Sequence, residues 1–135
     1  MAQVIQISEA SSLGMHSMIL LAGPVEETLT VKQMAQTTGA SEAHLSKVMQ
    51  RLTKAGLVFS SRGPKGGFVL NEKGSSITLL EVFEAIDGPL NSNGCLLRIR
   101  DCPFCGCLFG GLVERMTLEF KEYLASKTLG DLAKP

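Results

Sequence analysis

The chain has 135 residues, of which 44% are hydrophobic and 19% charged, and its formal net charge at pH 7 is zero. This balance leaves room for one domain, or one domain with an appendage, and excludes a disordered chain. The apolar run Met15–Gly23 is too short to span a bilayer and no basic, cleavable leader precedes it, so we expect a cytoplasmic protein with no membrane partner.

The charges are unevenly distributed along the chain. The segment Lys32–Lys73 carries seven Lys and Arg against two acids, whereas acids outnumber bases on both sides of it. A contiguous basic segment supplies the positive potential that a phosphate-binding surface needs. The charge pattern therefore favours a nucleic acid as partner.

The first two predicted elements are helices. The first covers Ile5–Ala22 and is ended by a Gly-Pro pair. Thr30 and Gln33 form a Thr-x-x-Gln capping box, which predicts the start of a short second helix that Gly39 ends.

A third helix is predicted after Ser41, its N-cap. Apolar residues recur in it at helical spacing, and its other positions are mostly polar or basic. The apolar residues are Leu45, Val48, Met49 and Leu52. Two short helices joined by a glycine turn, the second amphipathic and basic, predict a helix-turn-helix.

A β-hairpin is predicted next. The strand-like segments Leu57–Phe59 and Phe68–Leu70 bracket a turn rich in Gly and Pro, with Arg62 and Lys65 at its tip. The Gly66-Gly67 pair would allow the backbone to approach a ligand closely. A basic hairpin directly after the second helix of a helix-turn-helix is typical of a wing.

The rest of the chain predicts two helices around a loop. Thr78 and Glu81 form a second capping box, a loop follows from Leu90, and a long helix of about Leu108–Ser126 carries an apolar side. The predicted fold class is mainly α with a small β-hairpin, a winged helix-turn-helix followed by a long C-terminal dimerisation helix. The expected organisation is a DNA-binding domain (1–88), a cysteine-rich loop (89–107), and a dimerisation helix with a tail (108–135).

All four cysteines lie in that loop, within thirteen residues. They are Cys95, Cys102, Cys105 and Cys107. In a cytoplasmic protein such clustering favours metal or redox chemistry over a disulfide scaffold. Four thiolates suit either zinc or an iron–sulfur cluster, and the spacing alone does not distinguish them.

Several segments together resemble one known family. They are Gly39–Ser41 with Arg51-Leu52 and Gly56–Val58, the wing Ser61–Phe68, Ile77–Val82, the cysteine loop and Thr128–Leu132. They are similar to the Rrf-type family of winged helix-turn-helix regulators, the IscR-, NsrR- and RirA-like proteins. The resemblance covers almost the whole chain, and the Arg-Gly-Pro-x-Gly-Gly wing followed by a cysteine loop is its specific part.

The resemblance implies a cofactor and its ligands. Members commonly hold an iron–sulfur cluster, [2Fe–2S] or [4Fe–4S], through three loop cysteines and one variable ligand. By position the three are Cys95, Cys102 and Cys107, and Cys105 or the partner subunit's His16 would be the fourth.

The resemblance also implies a homodimer on a pseudo-palindromic double-stranded operator. We expect Arg62 and Lys65 to contact phosphate or the minor groove, and the start of the third helix to lie near base edges. The whole expected surface comprises Ser41, Glu42, His44, Ser46, Lys47, Arg51, Arg62, Lys65 and Gly66. Ser46 replaces an acidic residue of one branch, so we expect a different operator.

Three functions are therefore open. The first is a DNA-binding regulator controlled by an iron–sulfur cluster that responds to redox state, nitric oxide or iron. The second is a winged-helix regulator with zinc or a thiol–disulfide switch in the loop. The third is a small cluster-carrying redox protein, which no cofactor motif or catalytic base supports; we expect no enzyme activity.

Overall fold

The computed structural model describes residues 6–23, 28–64, 66–91, 97 and 99–133. The described residues form six α-helices and a two-stranded antiparallel sheet, which confirms the predicted fold class. The elements are α1 (Glu9–Leu21), α2 (Val31–Thr38), α3 (Glu42–Lys54), β1 (Val58–Ser61), β2 (Gly67–Leu70), a 3₁₀ turn (Gly74–Ser76), α4 (Leu79–Asp87), α5 (Leu112–Ser126) and α6 (Leu129–Ala133). Within the described ranges, no helix has the length and hydropathy to cross a bilayer.

The helix-turn-helix forms as the caps predict. The Thr30 hydroxyl accepts from the Gln33 amide at 3.1 Å, and the Gln33 side chain accepts from the Thr30 amide at 2.9 Å. Gly39 ends α2 in the left-handed conformation (φ 76°), and the Ser41 hydroxyl caps α3 at the His44 amide. Side-chain caps satisfy backbone donors that have no partner within the helix, so each helix begins at a defined residue.

The wing has a third backbone segment that local periodicity does not predict. Leu29 and Phe68 exchange two backbone hydrogen bonds, of 3.2 and 2.8 Å, so Leu29 lies beside β2. A Cβ on Gly67 would lie 2.7 Å from the Leu29 oxygen, and one on Gly66 would lie 2.6 Å from the Ser61 oxygen. The glycine pair thus allows close approach of the chain's own backbone.

The C-terminal helices pack onto the winged domain. The Leu79 amide donates to the Lys127 oxygen and the Leu129 amide to the Ile77 oxygen, each at 2.9 Å. Leu124 and Leu129 are buried in the same hydrophobic core as α1, α3 and α4. The end of the chain therefore packs against the winged domain as well as extending from it.

Two helix starts differ from the sequence prediction. Ser8 caps α1 by accepting from the Ser11 amide, so the helix begins at Glu9; Ile5, the predicted start, lies outside the described residues. The last long helix begins at Leu112 because Gly110 (φ 52°) and Gly111 (φ 84°) adopt left-handed conformations immediately before it. Leu108, placed in this helix by the prediction, precedes it and is 86% exposed.

Candidate DNA-binding surface and cysteine loop

The exposed face of α3 follows from the burial of its apolar stripe. Leu45, Val48, Met49 and Leu52 are all buried, so the opposite side faces solvent. Of the predicted contact residues at and in α3, Ser41, Glu42, Lys47 and Arg51 are exposed, and His44 and Ser46 are half-buried. Helical periodicity also places Gln50 and Lys54 on the outward face beside Lys47. The predicted set omitted these two, although the same periodicity identifies them.

The wing continues the surface at the end of β1. Arg62 is exposed directly after this strand, and the Gly66 amide donates to the Gly63 oxygen at 2.8 Å, which closes the turn. Lys65, the second predicted wing cation, lies outside the described residues. The described part therefore presents one cation at the hairpin, next in sequence to the basic face of α3.

Arg51 has a partner within the protein. Its Nη1 donates to the Ile86 oxygen at 3.4 Å, in a partly buried hydrogen bond to the last turn of α4. Carbonyls in the last turn of a helix have no partner within the helix, and a cation there also interacts favourably with the helix dipole. Arg51 as a whole is exposed, one helical turn after Lys47, and one guanidinium nitrogen contacts α4.

A salt bridge connects the end of the wing to α4. Lys73 Nζ lies 2.8 Å from Glu81 Oε1, and Glu81 Oε2 accepts from the Thr78 amide at 2.8 Å. Burial opposes ionisation of Glu81, but the Lys73 and Thr78 hydrogen bonds and the Lys73 charge together hold its pKa below the usual value. The hydrogen bond to Glu81, followed by its charge, raises the pKa of Lys73. Folding therefore favours the charged form of both groups.

The described cysteines of the loop are all exposed. Cys102, Cys105 and Cys107 are free thiols at the surface, and Cys95 lies outside the described residues. Among the described side chains, no three His, Cys, Asp or Glu converge into a metal-binding group. Unpaired thiols are the donors that zinc and iron–sulfur clusters use, so the ligand chemistry fits, although these three are not arranged as a preformed cage.

His16 lies apart from the described cysteines. It lines a cleft of about 400 Å³ between α1 and the turn of the helix-turn-helix, and none of the described cysteines lines that cleft. Its Nδ1 lies 2.6 Å from the Ser12 oxygen. A carbonyl only accepts, so Nδ1 is the donor of this contact. Nε2 is therefore the ring nitrogen that is not engaged with the Ser12 oxygen.

Comparison with known families identifies the chain. The Rrf2 profile, described as an iron-dependent transcriptional regulator, matches residues 7–135. The chain belongs to the Rrf2 family. The resemblance inferred from the wing and the cysteine loop is therefore confirmed.

Two named relatives of this Rrf2-family protein are transcriptional regulators. It is 33% identical to CymR of Bacillus subtilis over an alignment of 140 positions, which covers 95% of this chain and 89% of CymR. It is 32% identical to IscR of Escherichia coli over 111 residues, covering 82% of this chain and 66% of IscR. We therefore assign it as a transcriptional regulator, the kind of protein that these relatives are, rather than as an enzyme.

Solved structures agree with the fold. The structure of B. subtilis CymR, described as the global cysteine regulator, matches with a TM-score of 0.79 and 32% identity, over 96% of this chain and 97% of CymR. The oxidised form of Staphylococcus aureus CymR matches with a TM-score of 0.75 and 25% identity, over 97% and 98% of the two chains.

Proposed function

We propose that this Rrf2-family protein is a cytoplasmic regulator that binds an operator as a homodimer, under control of its cysteine loop. The observation that carries the DNA interface is the exposed face of α3 with Lys47, followed directly by a wing that presents Arg62. In helix-turn-helix proteins the start of the second helix enters the major groove, and phosphate contacts fix its register. The family membership supports this arrangement.

The start of α3 would supply base contacts and the wing would supply backbone contacts. Glu42, Ser46 and Lys47 would lie closest to the base edges, with Ser41 and His44 beside them. Arg62, Lys65 and the Gly66 backbone would follow the phosphates or the minor groove. Arg51, also predicted for this surface, is exposed on the same helix, and one of its nitrogens donates to the Ile86 oxygen.

Two cations test this interface. We expect Lys47→Ala with Arg62→Ala to abolish binding to duplexes that the wild type selects from a random pool, because two phosphate or base contacts are lost. The matched control is Lys121→Ala, which removes a cation from α5. If the double variant binds the selected duplexes as the wild type does, the proposed interface is wrong.

An iron–sulfur cluster is the proposed cofactor of the loop. Cys95, Cys102 and Cys107 would hold it, with Cys105 or the partner subunit's His16 as the fourth ligand. When bound, the cluster would make the loop sensitive to oxidants, nitric oxide and lack of iron, because each of these would remove it. The chain's own contribution is three exposed free thiols in the described part of the loop, which ligation would hold together. The family description as iron-dependent supports this proposal.

A second candidate mechanism is a thiol switch or a zinc site in the same loop. Three exposed free cysteines within six residues favour it, and the similarity to CymR, which has been solved in an oxidised form, supports it. Two neighbouring thiols can be oxidised to a disulfide without any metal.

Anaerobic purification separates the two mechanisms. With a cluster, the protein absorbs visible light and contains iron together with acid-labile sulfide. Zinc without sulfide, or a DNA affinity that follows thiol oxidation in metal-free protein, would instead establish the second mechanism. Colourless protein without iron and sulfide would exclude the cluster.

The dimer is proposed from apolar side chains on α5 that the described chain does not cover. Phe120 and Leu124 face the core, and Phe120 makes an edge-to-face contact with Phe83. Leu118 and Tyr123 remain 58% and 53% exposed. A helix that carries apolar residues on two sides typically packs against a neighbour on each of them. We infer that a second copy covers this outer side.

A further inference from the structure

The cysteine loop starts at a helix end that two other helices hold. Asp87, the last residue of α4, accepts hydrogen bonds at Oδ2 from Ser8 at 2.7 Å and from Ser11 at 2.5 Å. Ser11 is completely buried. Gly88 then takes a positive φ of 86° and directs the chain away from the helix toward the loop. The root of the loop is therefore anchored to α1.

The second anchor comes from α3. Arg51 crosses from this helix to the Ile86 oxygen, one residue before Asp87. Arg51 and its helical neighbour Lys47, one turn earlier on the proposed DNA surface, are both exposed. One side chain thus spans the distance between the helix that would read DNA and the last turn before the cysteine loop.

We propose that Arg51 is a positioning residue that couples the state of the cysteine loop to the placement of α3. The inference rests on the proposed control of DNA binding by the loop. A change in the loop that shifts Ile86 alters the Arg51 hydrogen bond, and α3 carries that change to Lys47. Coupling between two sites requires an interaction that differs between the two states, and a hydrogen bond at the loop root is such an interaction.

The test compares Arg51→Met with Arg62→Ala, which removes the wing cation proposed to contact phosphate. Methionine retains an apolar stem but has no donor, so it removes the bond to Ile86 and keeps much of the side-chain contact. Two quantities are measured for each protein. One is the slope of log K for the operator against log salt. The other quantity, which we call the loop effect, is a ratio of two operator affinities. It compares the anaerobically purified protein with the same protein carrying Cys102→Ser and Cys107→Ser.

A phosphate contact and a coupling residue give different results. Loss of one phosphate contact lowers the salt slope by about 1, and we expect this for Arg62→Ala, with the loop effect retained. For Arg51→Met we expect an unchanged slope and a loop effect that falls from the roughly 5- to 150-fold typical of allosteric coupling toward 1. Arg51→Lys, which can still donate to Ile86, should recover part of the loop effect.

Three results would overturn the inference. In the first, Arg51→Met lowers the salt slope by about 1 and leaves the loop effect intact, as expected for a DNA contact. In the second, this substitution leaves the loop effect unchanged. In the third, the wild type itself has a loop effect of 1. Iron and sulfide analysis of the same preparation reports on the cluster separately. A protein without a cluster that still shows an Arg51-dependent loop effect would refute the cofactor and support the coupling.

Discussion

At the residue scale, the wing depends on a glycine whose role is structural. Gly67 has a φ of 153°, and a Cβ there would lie 2.7 and 2.8 Å from the oxygen and carbonyl carbon of Leu29. The Leu29 oxygen accepts from the Phe68 amide, so this carbonyl cannot move away without breaking the bridge. Gly63 in the same hairpin also has a positive φ, of 106°, but no atom lies within 4 Å of its Cβ position.

This difference predicts unequal effects of alanine in the two positions. Gly63→Ala introduces only backbone strain, on the order of 1 kcal/mol. Gly67→Ala adds the overlap with Leu29, and we expect a loss of about 2 kcal/mol or more in the free energy of unfolding. Urea unfolding measures both. Equal losses in the two variants would show that the wing does not need the close approach at Leu29.

The Lys73–Glu81 pair predicts a pH dependence of stability. Folding lowers the pKa of Glu81, so its contribution is present above the unfolded carboxyl pKa of about 4.3 and is lost as the pH falls through the folded value. Folding raises the pKa of Lys73, so its contribution is present below about 10.4 and is lost as the pH rises through the folded value.

Glu81→Gln removes the charge of residue 81 and keeps its role in the helix cap. Thr30 and Gln33 already form a capping box with Gln in α2, so the same box is available to Thr78 with Gln at position 81. We expect the wild type to be more stable than Glu81→Gln at pH 7, and the difference to close as the pH falls below about 4. Urea unfolding from pH 7 to pH 3 measures it. A difference that stays constant over this range would contradict the assigned shift.

At the element scale, short-range signals were predictable and contacts distant in sequence were not. Both capping boxes and the buried stripe of α3 form as the sequence indicates, because they depend on residues three or four positions apart. The backbone pairing of Leu29 with Phe68 and the hydrogen bond from Leu129 of α6 to Ile77 have no local sequence signature. Arg51 shows the same limit, since its spacing indicates only a surface cation and its partner lies 35 residues away.

The crossing of α1 and α4 depends on Gly14. A Cβ on this residue would overlap with Ile86 Cδ1 and would lie 3.4 Å from Val48 Cγ1, so the three helices meet where a side chain is missing. Glycine inside a helix is less favourable than alanine by roughly 0.5–1 kcal/mol. The close approach of α4 accounts for its presence in α1.

A double-mutant cycle tests this packing. Gly14→Ala should lower the free energy of unfolding by about 1–3 kcal/mol through overpacking. Ile86→Val removes the overlapping methyl group and by itself costs about 0.5–1.5 kcal/mol. In the Ile86→Val background, Gly14→Ala should be neutral or stabilising, because only the helix preference remains. Additive losses in the double variant would show that the two residues do not compete for this space.

At the scale of the whole molecule, α5 has two different sides. Val113, Met116 and Phe120, with Phe83 of α4, line an apolar groove of about 530 Å³ on the core side. Leu118 lies on the opposite side, exposed, next to the acidic Glu119. A regulator that binds a two-fold operator needs a partner surface outside the winged domain, and the outer side of α5 is available for it.

Leu118→Glu should therefore separate the dimer into monomers. It places a charge in the proposed interface while the residues that face the core, Phe120 and Leu124, are unchanged. Glu119→Gln, one residue further along the same helix, is the matched control and should remain dimeric. Sedimentation equilibrium measures the mass, and footprinting should show protection of two half-sites, about 34–36 Å apart, only for the dimeric proteins. If Leu118→Glu has twice the mass of one chain and protects both half-sites, the dimer interface lies elsewhere than on the outer side of α5.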